Sequence, residues 1–493
     1  MVQVSFGFDV GTSSSKGVFA TLDGELLAMA KREHRVDRPQ PGHVEMDPTL
    51  WWQEFCSVAE ELRSEVPDAD VVCVGVSGMG PCVSLADAAG TPVRPAILYG
   101  VDTRSTEQIA SLTEELGGAD AILSRCGSVL SSQAAGPKIQ WVAEEEPETY
   151  ERAELLFMPA SRLVWELTGE YVLDHQSASQ CTPMYDIEAR TWYEPWATLV
   201  APGLTLPRLA WAGEVAGTVS EEAATQCGLP AGIPVVTGTI DAWAEAISVD
   251  AHNVGDLMLM YGTTMFFINT IETVVRSHEL WGTIGALHNT RNVAGGMATS
   301  GAITGWLRDL FGSPDYTDLL AEAAASPAGA DGLVMLPYFA GERTPIQDPD
   351  ARGVIAGLTV EHTRGDLYRA ALEATAFGVR HNIEAIESAG GRIDRLVCVG
   401  GGTQGDVWPQ IVSDITGRPQ VIPTYTVGAS YGMAWLASCT IKQSTAAEWN
   451  PPVRTLRPNA EAKQRYDHMY GLYRSLYDAT VEQVHSLSAI QKG

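Results

Sequence analysis

Apolar blocks separated by short polar turns open this chain. Val4–Val10 reads as a buried strand, Gly11–Lys16 as a turn and Gly17–Leu22 as a second strand, with Asp23-Gly24 as a hairpin signal before Glu25–Ala30. Asp47-Pro48 then opens a helix, because Asp caps a first turn that Pro tolerates. Leu50, Trp51 and Phe55 supply its apolar face. Val71–Val76 is a further buried strand ending at Ser77-Gly78, and residues 103–117 and 138–146 have helical patterning. Near residue 250 the layout restarts. A helix-like stretch, Asp241–Val249, leads into a strand, Leu257–Tyr261, then Gly262-Thr263-Thr264 and a second strand, Met265–Ile268. That is a short echo of the N-terminal order. A long helix over 364–389, a strand at Arg395–Val399, a glycine run, a helix from Asp406 and a polar helix over 459–487 follow. Alternating strands and helices in both halves predict an α/β protein.

Length makes this two domains, since 493 residues exceed one ordinary core. The expected division is 1–250 and 251–493. With 45% apolar and 19% charged residues, the chain has the balance of a soluble globular protein. No apolar run reaches membrane-spanning length, and the start lacks a signal-peptide pattern, so a cytoplasmic location is expected. The eight cysteines are scattered without metal-binding spacing, which fits small core residues in a reducing compartment. A net charge of −29 repels nucleic acid, anionic membrane and free nucleotide alike. Any nucleotide site must therefore use backbone N–H groups and a bound cation.

Four motifs have the composition for that chemistry. Asp9-Val-Gly11-Thr12-Ser13-Ser14-Ser15-Lys16 ends a strand with a glycine, hydroxyls and a carboxylate suited to Mg²⁺, although an ordinary polar hairpin has the same composition. Gly262-Thr263 repeats the Gly-Thr pair. Gly400 to Gly405 matches a dinucleotide-binding glycine pattern, but no acidic residue occurs between 415 and 447 to bind ribose. Asp241 follows the strand Pro234–Val236 and opens a helix, which suits either an N-cap or a general base. Met79-Gly80 and Asp102-Thr103-Arg104 could face a sugar, or form a plain helix start.

Together and in this order, these pieces resemble the FGGY family of carbohydrate kinases. The most specific is Gly353-Val-Ile-Ala-Gly357-Leu358 followed, after seven residues, by Asp366-Leu-Tyr-Arg-Ala-Ala-Leu-Glu373. Lys138-Ile-Gln-Trp141-Val-Ala-Glu-Glu145 is similar to the family's N-terminal signature, while the lead-in Gln133-Ala134-Ala135 departs from it. Gly341 to Pro345, Gly400 to Trp408 and Pro41 to Pro48 are similar to xylulokinase-like members. The resemblance implies two actin-like, ribonuclease-H-like domains closing over a central cleft, with ATP and Mg²⁺ as cofactors. It assigns Asp9, Gly11, Thr12, Ser13, Gly262 and Thr263 to phosphate, with Asp9 as the metal residue. Gly401 and Gly402 go to adenosine, and Asp241 becomes the catalytic base. Met79, Gly80, Asp102, Arg104 and Asp241 are assigned to the sugar. Where such members carry Met-His, this chain carries Met79-Gly80. Glycine is expected to leave room there and to disfavour D-xylulose itself, with another ketose or polyol preferred. The partner implied is a small sugar, with no nucleic acid and no membrane; a homodimer is the assembly considered. Two rival readings are a non-catalytic actin-like ATP-binding sensor or chaperone, and a nicotinamide dehydrogenase.

Overall fold

The computed structural model describes residues 1–492, which divide into two units. The first contains Met1–Asn253, Glu272–Asn292 and Tyr425–Pro451, and therefore draws on more chain than its N-terminal stretch. The second contains Val254–Ile271, Val293–Thr424 and the residues from Pro452 onward.

The first unit is built on a mixed sheet ordered Val215–Thr218, Pro234–Val236, Ala69–Gly78, Val2–Val10, Ser14–Thr21, Leu26–Glu33. Val2–Val10 pairs antiparallel with Ser14–Thr21 and parallel with Ala69–Gly78. Strand alternation sends Val4, Phe6 and Phe8 into an apolar cluster with Trp51, Phe55, Val58 and Leu62 of the helix Thr49–Glu65. Phe6 and Phe8 each lie 5.1 Å from the Phe55 ring. The intervening residues meet a different helix, Ala429–Ser438. Ser5 donates to the Ala434 carbonyl at 2.6 Å, and a Cβ on Gly7 would sit 1.9 Å from the Ser430 carbonyl oxygen. Bare backbone is what lets that helix approach so closely.

The expected turn at Gly11–Lys16 is shorter than its composition suggests. Gly11 N–H donates to the Ser14 carbonyl at 3.0 Å, so Ser14 begins the next strand and Lys16 stands opposite Asp9 in the ladder. Helix 138–146 begins earlier, at Ala135, because Ala134 is still extended. The C-terminal helix runs Lys463–Lys492, past its expected end.

The second unit repeats the scheme. Asp256–Tyr261 pairs antiparallel with Met265–Ile271 and parallel with Arg395–Val399, and the sheet continues through Gln420–Pro423 to Pro452–Leu456. The short sequence echo is thus a repeated hairpin with a parallel third strand. The long helix Arg364–Ser388 starts on a reciprocal cap between Thr363 and Asp366. Within it, Arg369 donates to Glu373 at 2.7 Å, and Tyr466 of the C-terminal helix donates to the same carboxylate at 2.8 Å. The most distinctive signature of the second half is therefore scaffold: it caps one helix and ties down another.

Candidate active site

In the first unit, three carboxylates and an amine gather where the central strands end. Asp9 is the penultimate residue of its strand, level with Lys16 on one side and Ser77 on the other. Ser77 donates to Asp9 Oδ1 at 2.8 Å. Burial pushes the Asp9 carboxyl up to about 6, against the opposing pull of Ser77 and Lys16. Asp241 is the first residue of the helix Asp241–Ser248 and follows the short strand Thr239–Ile240, which pairs with Ser77-Gly78. Its Oδ1 accepts from Ala242 N–H at 2.7 Å. Burial first, and then the Asp9 charge, push Asp241 up to about 7. A carboxyl poised there accepts a proton at neutral pH, as a general base must.

Two members of this group lie within the motif stretches but had no role assigned there. Glu245 is one helical turn after Asp241, so both project from the same face. Burial pushes it up to about 7 while Lys16 pulls it down. Lys16 itself donates to the Val427 carbonyl at 2.6 Å. The four-residue spacing from Asp241 could have flagged Glu245. No sequence signal links Lys16 to Val427, 411 residues away.

The Gly11–Ser13 turn also has a partner the motifs missed. Tyr99 and Thr12 share a hydrogen bond of 2.8 Å between their hydroxyls. Tyr99 precedes Asp102 and Arg104, which are spent on each other. Asp102 is fully buried and accepts from Val44 N–H at 2.6 Å, from Arg104 N–H at 3.1 Å and from Arg104 Nη2 at 2.8 Å. Arg104 Nη1 donates to Glu45 at 2.7 Å, and its guanidinium covers the Trp141 ring at 4.7 Å. This geometry holds the loop that presents Tyr99.

Met79 is buried, with its N–H on the Val10 carbonyl at 2.7 Å. Gly80 does not leave the expected space. A Cβ there would lie 2.7 Å from Cγ1 and 2.8 Å from Cδ1 of Ile240. The room that a missing side chain would open is taken by the residue just before Asp241.

In the second unit, Gly262 N–H donates to the Thr264 carbonyl at 3.1 Å, closing a turn one residue tighter than that at Gly11. Gly301 N–H donates to the Gly262 carbonyl at 2.9 Å, and Ser300 and Ala302 donate to the Thr263 carbonyl. The start of the helix Gly301–Leu310 thus fastens this turn. In the 400–405 run, a Cβ on Gly402 would meet the Trp408 ring at 2.8 Å, whereas one on Gly401 would meet nothing within 4 Å. Gly401 leaves exposed backbone open to a flat ligand.

Paired α/β units, each turning its first hairpin on a Gly-Thr pair, and a near-neutral carboxyl at a helix start define an ATP-dependent phosphotransferase. The chain belongs to the FGGY family of carbohydrate kinases: residues 4–248 match its N-terminal domain and residues 257–441 its C-terminal domain. It is 28% identical over 481 residues to a xylulose kinase of Escherichia coli (strain K12), covering 96% of this chain and 98% of that one. It is 32% identical over 513 residues to a glycerol kinase of Nocardia farcinica, with 98% of each chain covered. A crystal structure of a xylulose kinase from Rhodospirillum rubrum superposes with a TM-score of 0.91 at 30% identity, covering 98% of this chain and all of that one. The protein is therefore a kinase that uses ATP to phosphorylate an alcohol group of a small sugar. No helix among the described residues is long and apolar enough to cross a membrane.

Proposed function

We propose that this kinase phosphorylates the terminal hydroxyl of a small ketose or polyol, with Asp241 as general base. The observation that carries the reading is the raised Asp241 carboxyl at the start of its helix, beside Asp9. Asp241 takes the proton of the attacking hydroxyl. Thr12 and the backbone of the Gly11–Ser13 turn hold phosphate oxygens, and the Gly262-Thr263 turn is their counterpart in the second unit. Gly401 and Gly402 lie against adenosine. Most of the acceleration comes from positioning and charge neutralisation, as expected for phosphoryl transfer.

The donor set near Asp9 suits Mg²⁺, which binds through one or two carboxylates, waters and substrate phosphates. Asp9, whose Oδ1 also accepts from Ser77, would hold the ion or its water. When bound, Mg²⁺ neutralises charge developing on the phosphates.

Names among the relatives include both xylulose and glycerol kinases, so a pentulose or a shorter polyol is the substrate class. Met79, Gly80 and Asp241 line the sugar's position in this proposal, while Asp102 and Arg104 act through Tyr99. Ile240 puts an apolar wall where a polar contact would otherwise select the sugar. D-xylulose should therefore be a poor substrate. The test is kcat/KM for D-xylulose against a panel of three- to six-carbon ketoses, polyols and aldonates, read by ADP release. D-xylulose outperforming the whole panel by a wide margin would sink the specificity reading. Loss of Asp241 without loss of kcat would sink the mechanism. A reducing cytoplasm fits its eight free cysteines.

A further inference from the structure

Behind the Gly11–Ser13 turn lies a buried His34–Glu54 pair that the kinase motifs do not contain. His34, just past the strand Leu26–Glu33, donates its backbone N–H to the Ser13 carbonyl at 3.1 Å. Its ring Nδ1 lies 3.1 and 3.0 Å from the two carboxylate oxygens of Glu54, in the helix Thr49–Glu65. Its Nε2 lies 2.9 Å from the Gly11 carbonyl oxygen. The two side chains are 4% and 8% exposed. Glu54 also accepts from Ser15 Oγ at 2.6 Å, so the same carboxylate braces both sides of the turn.

A neutral imidazole offers one donor and one acceptor nitrogen, whereas a carbonyl oxygen and an ionised carboxylate only accept. Here both ring nitrogens face acceptors. A neutral His34 would set a lone pair against one of them, in a place too buried for water to repair the mismatch. With Glu54 ionised, only the doubly protonated ring satisfies Glu54 and Gly11 together.

We propose that His34 is held as a buried imidazolium that positions the Gly11–Ser13 turn, so that nucleotide affinity depends on its proton. This rests on the reading that the turn grips phosphate. Glu54 is the titratable group facing the ring. The other facing groups are backbone of the turn, with Ser15 acting through Glu54. Neighbouring charges point elsewhere: Arg32 is engaged with Ser57 and Glu61, and the Glu33 side chain is 82% exposed. Burial alone would lower the His34 pKa, but the Glu54 hydrogen bond and charge and the Gly11 carbonyl leave it raised. A raised histidine pKa makes the brace complete at low pH and removes it as pH climbs through the raised value. Loss of the proton frees Gly11 from its donor and removes a positive charge from beneath the phosphates. His34 touches no substrate atom and is a positioning residue.

The experiment uses the full-length enzyme. Long-range ¹H–¹⁵N correlation reads the ring nitrogens, with His34 assigned by the signal missing from His34→Gln. At pH 7 both His34 nitrogens should carry protons, and in Glu54→Gln the ring should lose one at lower pH. In parallel, KM for ATP is followed from pH 6 to 9. The wild type should show KM rising about three- to tenfold, the size of one hydrogen bond, over the range where His34 titrates. His34→Gln should start from a higher KM and lack that alkaline step. Should His34→Gln not fold, Glu54→Gln must show the step moved to lower pH. A singly protonated His34 at pH 7, or an unchanged alkaline step in the variants, overturns the proposal. Thr12→Val separates it from the reading beneath: an unchanged KM for ATP in Thr12→Val overturns the phosphate role of the turn, and the positioning role with it. The ring's protonation would still stand as measured.

Discussion

Asp241 unites two properties that pull against each other. Its raised pKa makes it a competent base near neutrality, and it makes the ionised form costly to the fold. Asp241→Asn should lower kcat by about 10²–10⁴ while leaving ATP affinity nearly unchanged, measured by ADP release and nucleotide titration. Because the proposed base works only when ionised, wild-type kcat should fall as pH drops through about 7. The sign for stability is opposite. A carboxyl whose folded pKa is raised stabilises the fold below its unfolded value and loses that contribution as pH rises through the folded one. The Tm of Asp241→Asn at pH 8 should therefore equal or exceed that of the wild type; a clear drop would mean the carboxylate is held by partners rather than strained. Gly80 also gives a directional test. A side chain there collides with Ile240, so Gly80→His should lose activity on every sugar. Only Gly80→His combined with Ile240→Ala should recover turnover, judged by kcat/KM across the sugar panel. At this scale the motifs placed Asp9 at a strand end, Thr12 in the following turn and Asp241 at a helix start. They did not reveal Tyr99, Ile240 or Lys16's carbonyl partner, because those depend on contacts between segments far apart in sequence.

The elements show how local pattern and packing divide the work. The hairpin at Val2–Thr21 was readable from apolar blocks around a glycine turn, and the long helix at Arg364–Ser388 from its long helical patterning. The helix Ala429–Ser438 carried no such pattern, since every one of its residues is buried and periodicity has no polar face to mark. Its place is set instead by small residues on the central strands. A Cβ on Gly7 would strike the Ser430 carbonyl, and one on Gly75 would lie 2.3 Å from the Met433 carbonyl. These obstacles are backbone, so they cannot swing aside. Gly7→Ala should cost about 1–3 kcal/mol of stability by overpacking, seen as a lower denaturation midpoint at unchanged slope. A midpoint within experimental error of the wild type would show that the helix shifts freely.

For the whole molecule, the consequence is that the first unit cannot be cut out by ending the chain near residue 250. Such a fragment lacks Ala429–Ser438 and bares the sheet face that helix covers. Residues 1–253 expressed alone should be insoluble, or should lack a cooperative thermal transition by calorimetry. A soluble fragment with a sharp transition would refute this. The sequence by itself determined the α/β class, the repeated hairpins, the kinase family, and the places of Asp9 at a strand end, Thr12 in a turn and Asp241 at a helix start. Each of these follows from local periodicity or short motifs whose physics spans a few residues. Only the tertiary structure decided that Asp102 and Arg104 are paired with each other, that Ile240 fills the space beside Gly80, and that His34 and Glu54 brace the Gly11–Ser13 turn. Those outcomes depend on which distant segments reach the same point and compete for the same hydrogen bonds and volume. Close packing settles that competition, and a one-dimensional pattern does not contain it.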